Sequence, residues 1–308
     1  MVDAITQPLV SVVIPTYNRE QIVLSAIESV LAQYFQNFEI IIVDNGSTDA
    51  TREAVGSIKD SRIRYFFQPG SGSPASPRNV GIARAHGEWI AFLDSDDTWR
   101  REKLGEVFQI IRLARYDLIS HWQQIDDVQG QSSRLIGDLS RTPLTYKRLL
   151  LEGNCLATSS LVLRRSFIEK WGLKFNESKK YIAVEDYDLW LNMLAVGAAP
   201  FTIRKVLGAN RSSADHLGSD ALIYQNLTYV LRRHTWEIQD FSQDKAAVEK
   251  RLIVTVMLSQ AFGAFRRKDY IGAMSLFRRV LRISPLEILR YMWLRVRGRC
   301  LRRRSFIE

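Results

Sequence analysis

Trp89-Ile90-Ala91-Phe92-Leu93-Asp94-Ser95-Asp96-Asp97 runs from an unbroken apolar segment straight into a cluster of carboxylates. The apolar part is too short for a helix and reads as a buried strand. Its acidic end then falls at the carboxyl edge of a sheet, where ligands of open α/β folds bind. Carboxylates this close repel one another unless a cation, hydrogen-bond donors or water compensates. Hard oxygen donors favour Mg2+ or Mn2+, ions that keep coordination positions open for phosphate oxygens. The plainer alternative is an acidic turn capping the helix that follows, with Thr98 as N-cap.

Upstream, strands and helices alternate. Leu9–Pro15 is a β-branched run ended by proline, a first buried strand, followed by the polar loop Thr16–Glu20. Ile22–Leu31 has helical spacing, and Phe38–Val43 is a second strand that ends in the turn Asp44-Asn45-Gly46-Ser47-Thr48-Asp49. A short helix over Ala50–Ile58 and a third strand over Ile63–Phe67 follow. This order predicts right-handed βαβ units on a mostly parallel, Rossmann-like α/β sheet. Gly70–Pro77 is loop-forming by composition and leads into a helix over Arg78–Ala85. Small residues beside Arg78 would let a phosphate-bearing ligand approach the backbone. No Walker loop is present, and Gly70-Ser71-Gly72 completes no dinucleotide fingerprint.

Four motifs in order, Val12-Val13-Ile14-Pro15-Thr16-Tyr17-Asn18-Arg19, Ile41-Ile42-Val43-Asp44-Asn45-Gly46-Ser47-Thr48-Asp49, Arg78-Asn79-Val80-Gly81-Ile82 and Phe92-Leu93-Asp94-Ser95-Asp96-Asp97, strongly resemble family 2 glycosyltransferases. The resemblance reaches roughly residue 220 through Gly153-Asn154-Cys155, an acceptor-side strand over Ser159–Arg164, and Glu185-Asp186 at the start of a helix. It implies the GT-A fold and a nucleotide-sugar donor. By the same resemblance Asp96 of the DxD motif holds Mn2+ or Mg2+, and Asp94 and Ser95 contact the nucleotide. Asp44 accepts from the base, which suits uracil without separating it from a guanine or thymidine nucleotide, and UDP is the expected nucleotide because it is the commonest donor in such enzymes. Pro15, Thr16, Tyr17 and Arg19 flank it, Tyr17 by stacking, and Arg78 adds a cation near the pyrophosphate. Asp186 matches the general base of an inverting transfer, whereas a helix cap is its structural alternative. Glu185, Asp97, Arg211 and His216 are further candidates, His216 standing three residues late for the family's histidine.

The net charge of +10 is concentrated at one end, because Arg266–Glu308 carries 13 basic and 3 acidic residues. The main body is therefore neutral, which argues against a nucleic-acid binder. From residue 221 the pattern turns helical, so the expected organisation is a GT-A domain over 1–220 and a helical extension over 221–308. Arg266–Pro285 looks like one helical repeat of the tetratricopeptide type. Leu286–Arg304 interleaves apolar residues with seven arginines, which suits an anionic membrane surface, a protein partner or a solvated tail. Cys155 and Cys300 have no zinc or redox spacing, and Met1–Leu9 has no secretory pattern. A cytoplasmic enzyme, peripheral at the inner membrane face, is expected, with a glycan or lipid-linked saccharide as acceptor. A nucleotidyltransferase, a nucleotide-sugar hydrolase and a catalytically inactive nucleotide-sugar-binding scaffold remain alternatives.

Overall fold

The structure, a computed structural model, describes residues 8–126, 133–211, 220–238, 244–286 and 288–289. In chain order the elements are β1 Val10–Thr16, α1 Val23–Leu31, β2 Phe38–Asp44, α2 Thr51–Ser57, β3 Ile63–Phe67, α3 Ala75–Arg84, β4 Trp89–Phe92 and β5 Asp97–Trp99. Next come α4 Lys103–Ile111, β6 Leu118–Asp126, β7 Ser133–Ile136, α5 Tyr146–Glu152, β8 Val162–Arg164 and α6 Arg165–Trp171. The chain continues through α7 Glu185–Ala195, β9 Pro200–Arg211, α8 Asp220–Arg233, α9 Lys245–Arg266 and α10 Tyr270–Ile283.

Two compact units divide the chain. The first holds Met1–Asp138, Cys155–Glu177 and Glu185–Asp215, and the second holds Leu139–Asn154, Ser178–Val184 and His216–Glu308. The helical unit thus draws two segments from within the first 220 residues, rather than beginning with a single cut.

The sheet of the first unit runs β3-β2-β1-β4-β8-β6-β9-β5, with β7 on β6. β3, β2, β1 and β4 are parallel, as the alternating pattern predicts. Beyond β4 the pairing becomes mixed, because β8 joins β4 and β6 antiparallel and β5 joins β9 antiparallel. Alternate residues of the central strands face opposite sides. Val12 and Ile14 of β1, with Ile40 and Ile42 of β2, pack on Val23, Ala26, Ile27 and Val30 of α1 and on Leu104 and Val107 of α4. Each such fully buried side chain contributes about 1.5–3 kcal/mol relative to exposure. On the other face α3 lies so close to β1 that a Cβ on Gly81 would overlap the Val13 methyls. Covering both faces explains why these strands read as continuous apolar runs.

Two local expectations change. The helix expected from Arg78 begins at Ala75, so Pro77 lies in its first turn, where the missing N–H costs nothing. Thr98 caps no helix. It pairs with Ala209 in β5, and α4 begins only at Lys103.

In the second unit Val254, Met257 and Leu258 of α9 pack on Val280 of α10, and Phe262 meets Phe277 edge-on at 5.3 Å. Among the described residues no helix is long and apolar enough to cross a membrane. The arginine-rich segment from residue 290 lies outside the described residues.

Lys103 is wholly buried, with no hydrogen-bond partner for Nζ, and that nitrogen lies 3.0 Å from the Trp99 ring centroid. A desolvated cation–π contact gives about 2 kcal/mol, less than the several kcal/mol lost by stripping an ion of water. Burial therefore outweighs the ring contact and drives the Lys103 pKa well below the ordinary lysine value. Burial likewise pushes His121 down to about 3. Below the lysine pKa the unfolded chain binds a proton that the folded chain does not, so this site makes stability rise with pH. Lys103→Met is expected to raise Tm at neutral pH, with a gain that shrinks as pH approaches about 10. Thermal melts across that range check both the sign and the slope.

Candidate active site

β1, β2 and β4 open side by side at their carboxyl ends. Thr16 stands opposite Asp44 in the parallel ladder, Asn45 N–H donates to the Thr16 carbonyl (2.9 Å), and Leu93 N–H donates to the Val13 carbonyl (3.0 Å). Asp44 is buried, and its carboxylate accepts from Ser47 N–H (2.8 Å) and from the Tyr65 hydroxyl (2.6 Å). Burial and the Asp44 charge together raise the Tyr65 pKa, so this phenol stays a donor. The Asp44 turn requires glycine at its third residue. Gly46 has φ +87°, and a Cβ there would come 2.5 Å from the Gly70 nitrogen. Asn18 and Ser47 staple the β1 and β2 loops together, through Asn18 N–H to Ser47 Oγ and Thr48 N–H to Asn18 Oδ1, each at 2.8 Å. Pro15 is buried within β1, Arg19 N–H donates to Thr51 Oγ1 (3.0 Å), and the Tyr17 ring is 55 % exposed beside the strand ends. Thr16 Oγ1 is buried without a partner, a polar atom left for a ligand.

Arg78 is the centre of the site. It is buried (5 % exposed) and forked between two carboxylates. Its Nη2 donates to Asp94 Oδ1 (2.7 Å) and its Nη1 to Glu185 Oε1 (2.8 Å). Burial opposes its charge, but Asp94 and Glu185 outweigh burial and hold the guanidinium ionised. The Phe175 ring lies 5.3 Å from it and belongs to an aromatic cluster with Phe92 and Trp190. Asn79, next in sequence, fixes the Phe175 backbone by accepting from its N–H and donating to its carbonyl, both at 2.9 Å.

Asp186 follows Glu185 into the first turn of α7. It accepts from Thr158 Oγ1 (2.9 Å) and from Tyr187 N–H (2.6 Å). Burial raises the pKa of both Asp186 and Glu185, against the lowering pull of Arg78. Glu185 Oε2 is buried with no partner. The 3-10 turn Thr158–Ser160 ties the two acidic motifs together. Thr158 holds Asp186, whereas Ser159 Oγ accepts from Asp94 N–H (3.0 Å) and the Ser159 carbonyl accepts from Trp99 Nε1 (2.8 Å). Thr158, Tyr65 and Phe175 escape sequence reading because threonine and aromatics at these spacings carry no distinctive pattern, and the strand expected over Ser159–Arg164 begins only at Val162, with Ser159 in the 3-10 turn.

The carboxylates after β4 divide by environment. Asp97 turns inward, accepting from Gln123 Nε2 (2.8 Å) and Asn210 Nδ2 (2.6 Å), and burial followed by the Asp94 charge pushes its pKa up to about 7. It belongs to the β5–β6–β9 interior, not to the open edge. Ser95 is buried, whereas Asp94 and Asp96 are half-exposed. Arg211 ends β9, and His216 lies outside the described residues. Among the described residues no group of three His, Cys, Asp or Glu is arranged to hold a metal ion. The half-exposed carboxylates Asp96 and Asp94 nonetheless fit Mg2+ or Mn2+ by their chemistry, since such ions are often held by one or two carboxylates plus substrate phosphates.

Residues 11–172 match the family model "Glycosyl transferase family 2". The chain is 35% identical over 192 residues, covering 61% of itself and 71% of its relative, to the Escherichia coli UDP-Glc:alpha-D-GlcNAc-diphosphoundecaprenol beta-1,3-glucosyltransferase WfaP. Its fold resembles S. aureus TarS 1-349 in complex with UDP-GlcNAc, with a TM-score of 0.65 and 18% identity over 96% of this chain and 90% of that one. It also resembles a Pyrobaculum calidifontis mannosyltransferase in complex with GDP-Man and Mn2+, with a TM-score of 0.57 and 16% identity over 94% and 85% of the two chains.

Removing Arg78 leaves buried Glu185 unpaired. Arg78→Ala is expected to destabilise the chain by about 3–5 kcal/mol, read by urea denaturation. Arg78→Lys, which cannot fork, should recover only part of that loss.

Proposed function

The chain belongs to glycosyl transferase family 2, and from that premise we propose an inverting, divalent-cation-dependent transfer from a UDP-sugar to a hydroxyl of a glycan or lipid-linked saccharide. One observation carries this reading: Arg78 bridges Asp94 of the nucleotide-side motif and Glu185, the neighbour of Asp186. One buried cation thereby links the proposed donor-binding motif to the segment that carries the proposed base. Asp44 takes the base, with Tyr65 and Ser47 N–H keeping its carboxylate oriented as an acceptor. Tyr17 stacks from the exposed loop. Asp96 and Asp94 would hold Mn2+ or Mg2+, which when bound offsets charge on the departing diphosphate.

Asp186 accepts the acceptor hydroxyl proton. The hydroxyl oxygen bonds to the anomeric carbon as the bond from that carbon to the phosphate oxygen breaks. The electron pair leaves with the nucleoside diphosphate, and attack from the opposite face inverts the centre. Desolvation makes Asp186 a stronger base than an exposed aspartate, and Thr158 fixes its orientation. The WfaP relative supplies the acceptor class, a sugar on a diphosphate lipid.

The same reading extends to peripheral attachment at an anionic bilayer. On α10, Tyr270, Ile271, Met274 and Leu281 are exposed beside the exposed Arg278, Arg279 and Arg282, a pairing of apolar and basic side chains that suits a lipid surface.

Calorimetry with UDP, GDP, TDP, CDP and ADP, with and without Mn2+, is the first test. UDP is expected to bind only with the cation, and Asp96→Ala to lose that binding. Binding of none of the five would overturn the assignment of the strand ends as a nucleotide site. With UDP-glucose and GlcNAc-diphosphate-undecaprenol, Asp186→Asn should abolish transfer and leave UDP affinity intact. Retention at the anomeric centre, seen by NMR of the product, would exclude inversion. The raised Asp186 pKa places the acidic limb of kcat/KM above the ordinary aspartate range, so activity should fall as pH drops through that raised value. A pH–rate profile reads it directly.

A further inference from the structure

A carboxylate that serves as a base has to be aimed, and the backbone leading to Asp186 is set before α7 begins. Segment Ser178–Val184 belongs by its contacts to the helical unit, and Glu185 follows it without a gap. Within that unit Lys179–Tyr181 forms a single 3-10 turn. Asn226 of α8 is 5 % exposed, and its Nδ2 donates to the carbonyls of Ile182 (3.0 Å) and Lys179 (3.3 Å). Tyr229, three residues further along the same helix face, meets buried Tyr181 edge-on at 5.6 Å and lies 5.0 Å from Lys180 Nζ. Val184 N–H closes the turn on the Tyr181 carbonyl (3.0 Å).

Between the last two contacts, Ala183 has φ +65°. A non-glycine residue stays in that region only where its surroundings over-determine it. Asn226 supplies that determination, because it grips the carbonyl immediately before Ala183. A buried amide is also costly unless bonded. Here its donors serve a loop rather than the apolar packing of its own helix.

We propose that Asn226 is a positioning residue for the acceptor-side base: it fixes the Lys179–Ile182 backbone and the left-handed turn at Ala183 from which Glu185 and Asp186 enter α7. The proposal rests on the reading of Asp186 as base. The effect runs along the chain itself, since Glu185 follows Val184 directly.

The test is made on the full chain. Asn226→Ala is expected to lower kcat for UDP-glucose with GlcNAc-diphosphate-undecaprenol by about tenfold or more, since small misplacements of a reacting group cost that much. UDP affinity in Mn2+ should stay within about twofold, and amide exchange over residues 183–187 should speed by about tenfold, with β1 and β2 unchanged. Ala183→Val leaves α8 intact and should show the same split, because a β-branched residue disfavours positive φ. It carries the test if Asn226→Ala does not fold. Parallel loss of kcat and UDP affinity, or unchanged exchange over 183–187, overturns the proposal. Should that substrate pair give no turnover with the wild type, the exchange measurement alone decides. Asp186→Asn separates the two readings. If it keeps full turnover, the base assignment fails. If it abolishes turnover and Asn226→Ala leaves kcat unchanged, the positioning argument fails alone.

Discussion

A single buried guanidinium organises this site. Arg78 lies between Asp94, at the end of the fourth strand, and Glu185, at the start of a helix far along the chain. Burying any of these charges alone would cost several kcal/mol, but each carboxylate contact offsets part of the guanidinium's desolvation. Arginine suits the position because its planar fork offers two separate donor directions. A lysine has one point charge and could serve only one partner well. The cation also sets the local electrostatics, opposing the rise in pKa that burial imposes on Glu185 and Asp186.

Around that clamp the remaining carboxylates take different roles because their surroundings differ. Asp97 is enclosed by the amides of Gln123 and Asn210 and is the most strongly desolvated of the acidic cluster. Asp96 remains at the half-exposed edge, where phosphate-bound cations can be met. Asp44, one strand over, is held by a tyrosine hydroxyl and a backbone amide, so its acceptor direction is set before any ligand arrives. Thr158 and Ser159 form a second link between the nucleotide-side loop and the proposed base, the Thr158 hydroxyl donating to Asp186 and the Ser159 hydroxyl accepting from Asp94 N–H. Preorganisation of this kind lowers the reorganisation needed during transfer.

The positions of the candidate site residues on the fold and the parallel half of the sheet were legible in the chain. β-branched runs that end in polar clusters dictate strands whose carboxyl ends gather ligand-binding groups, and the spacing of the motifs placed Asp44, Asp94 and Asp186 correctly on strand ends or at a helix start. Local periodicity also found α1 and the C-terminal helices, because an amphipathic stripe is a property of neighbours in sequence. Less legible was the stretch after the acidic cluster. Asp97-Thr98-Trp99 looks like a helix entry, yet it becomes a strand because Gly208, Ala209 and Asn210 offer it a ladder from more than a hundred residues away.

By itself, then, the sequence determined the resemblance to its family, the α/β class and which side chains are candidates for the chemistry, since motifs and apolar runs lie within short windows of the chain. Tertiary structure alone decided where the charges point. Arg78 turns inward because two carboxylates from distant segments converge on it, and Asp97 because two distant amides enclose it. Division into two units was likewise beyond local patterns, for Ser178–Val184 joins the helical unit through Asn226 and Tyr229 rather than through any feature of its own composition. Hydrogen bonds and desolvation act across space, and no window along the chain contains both partners.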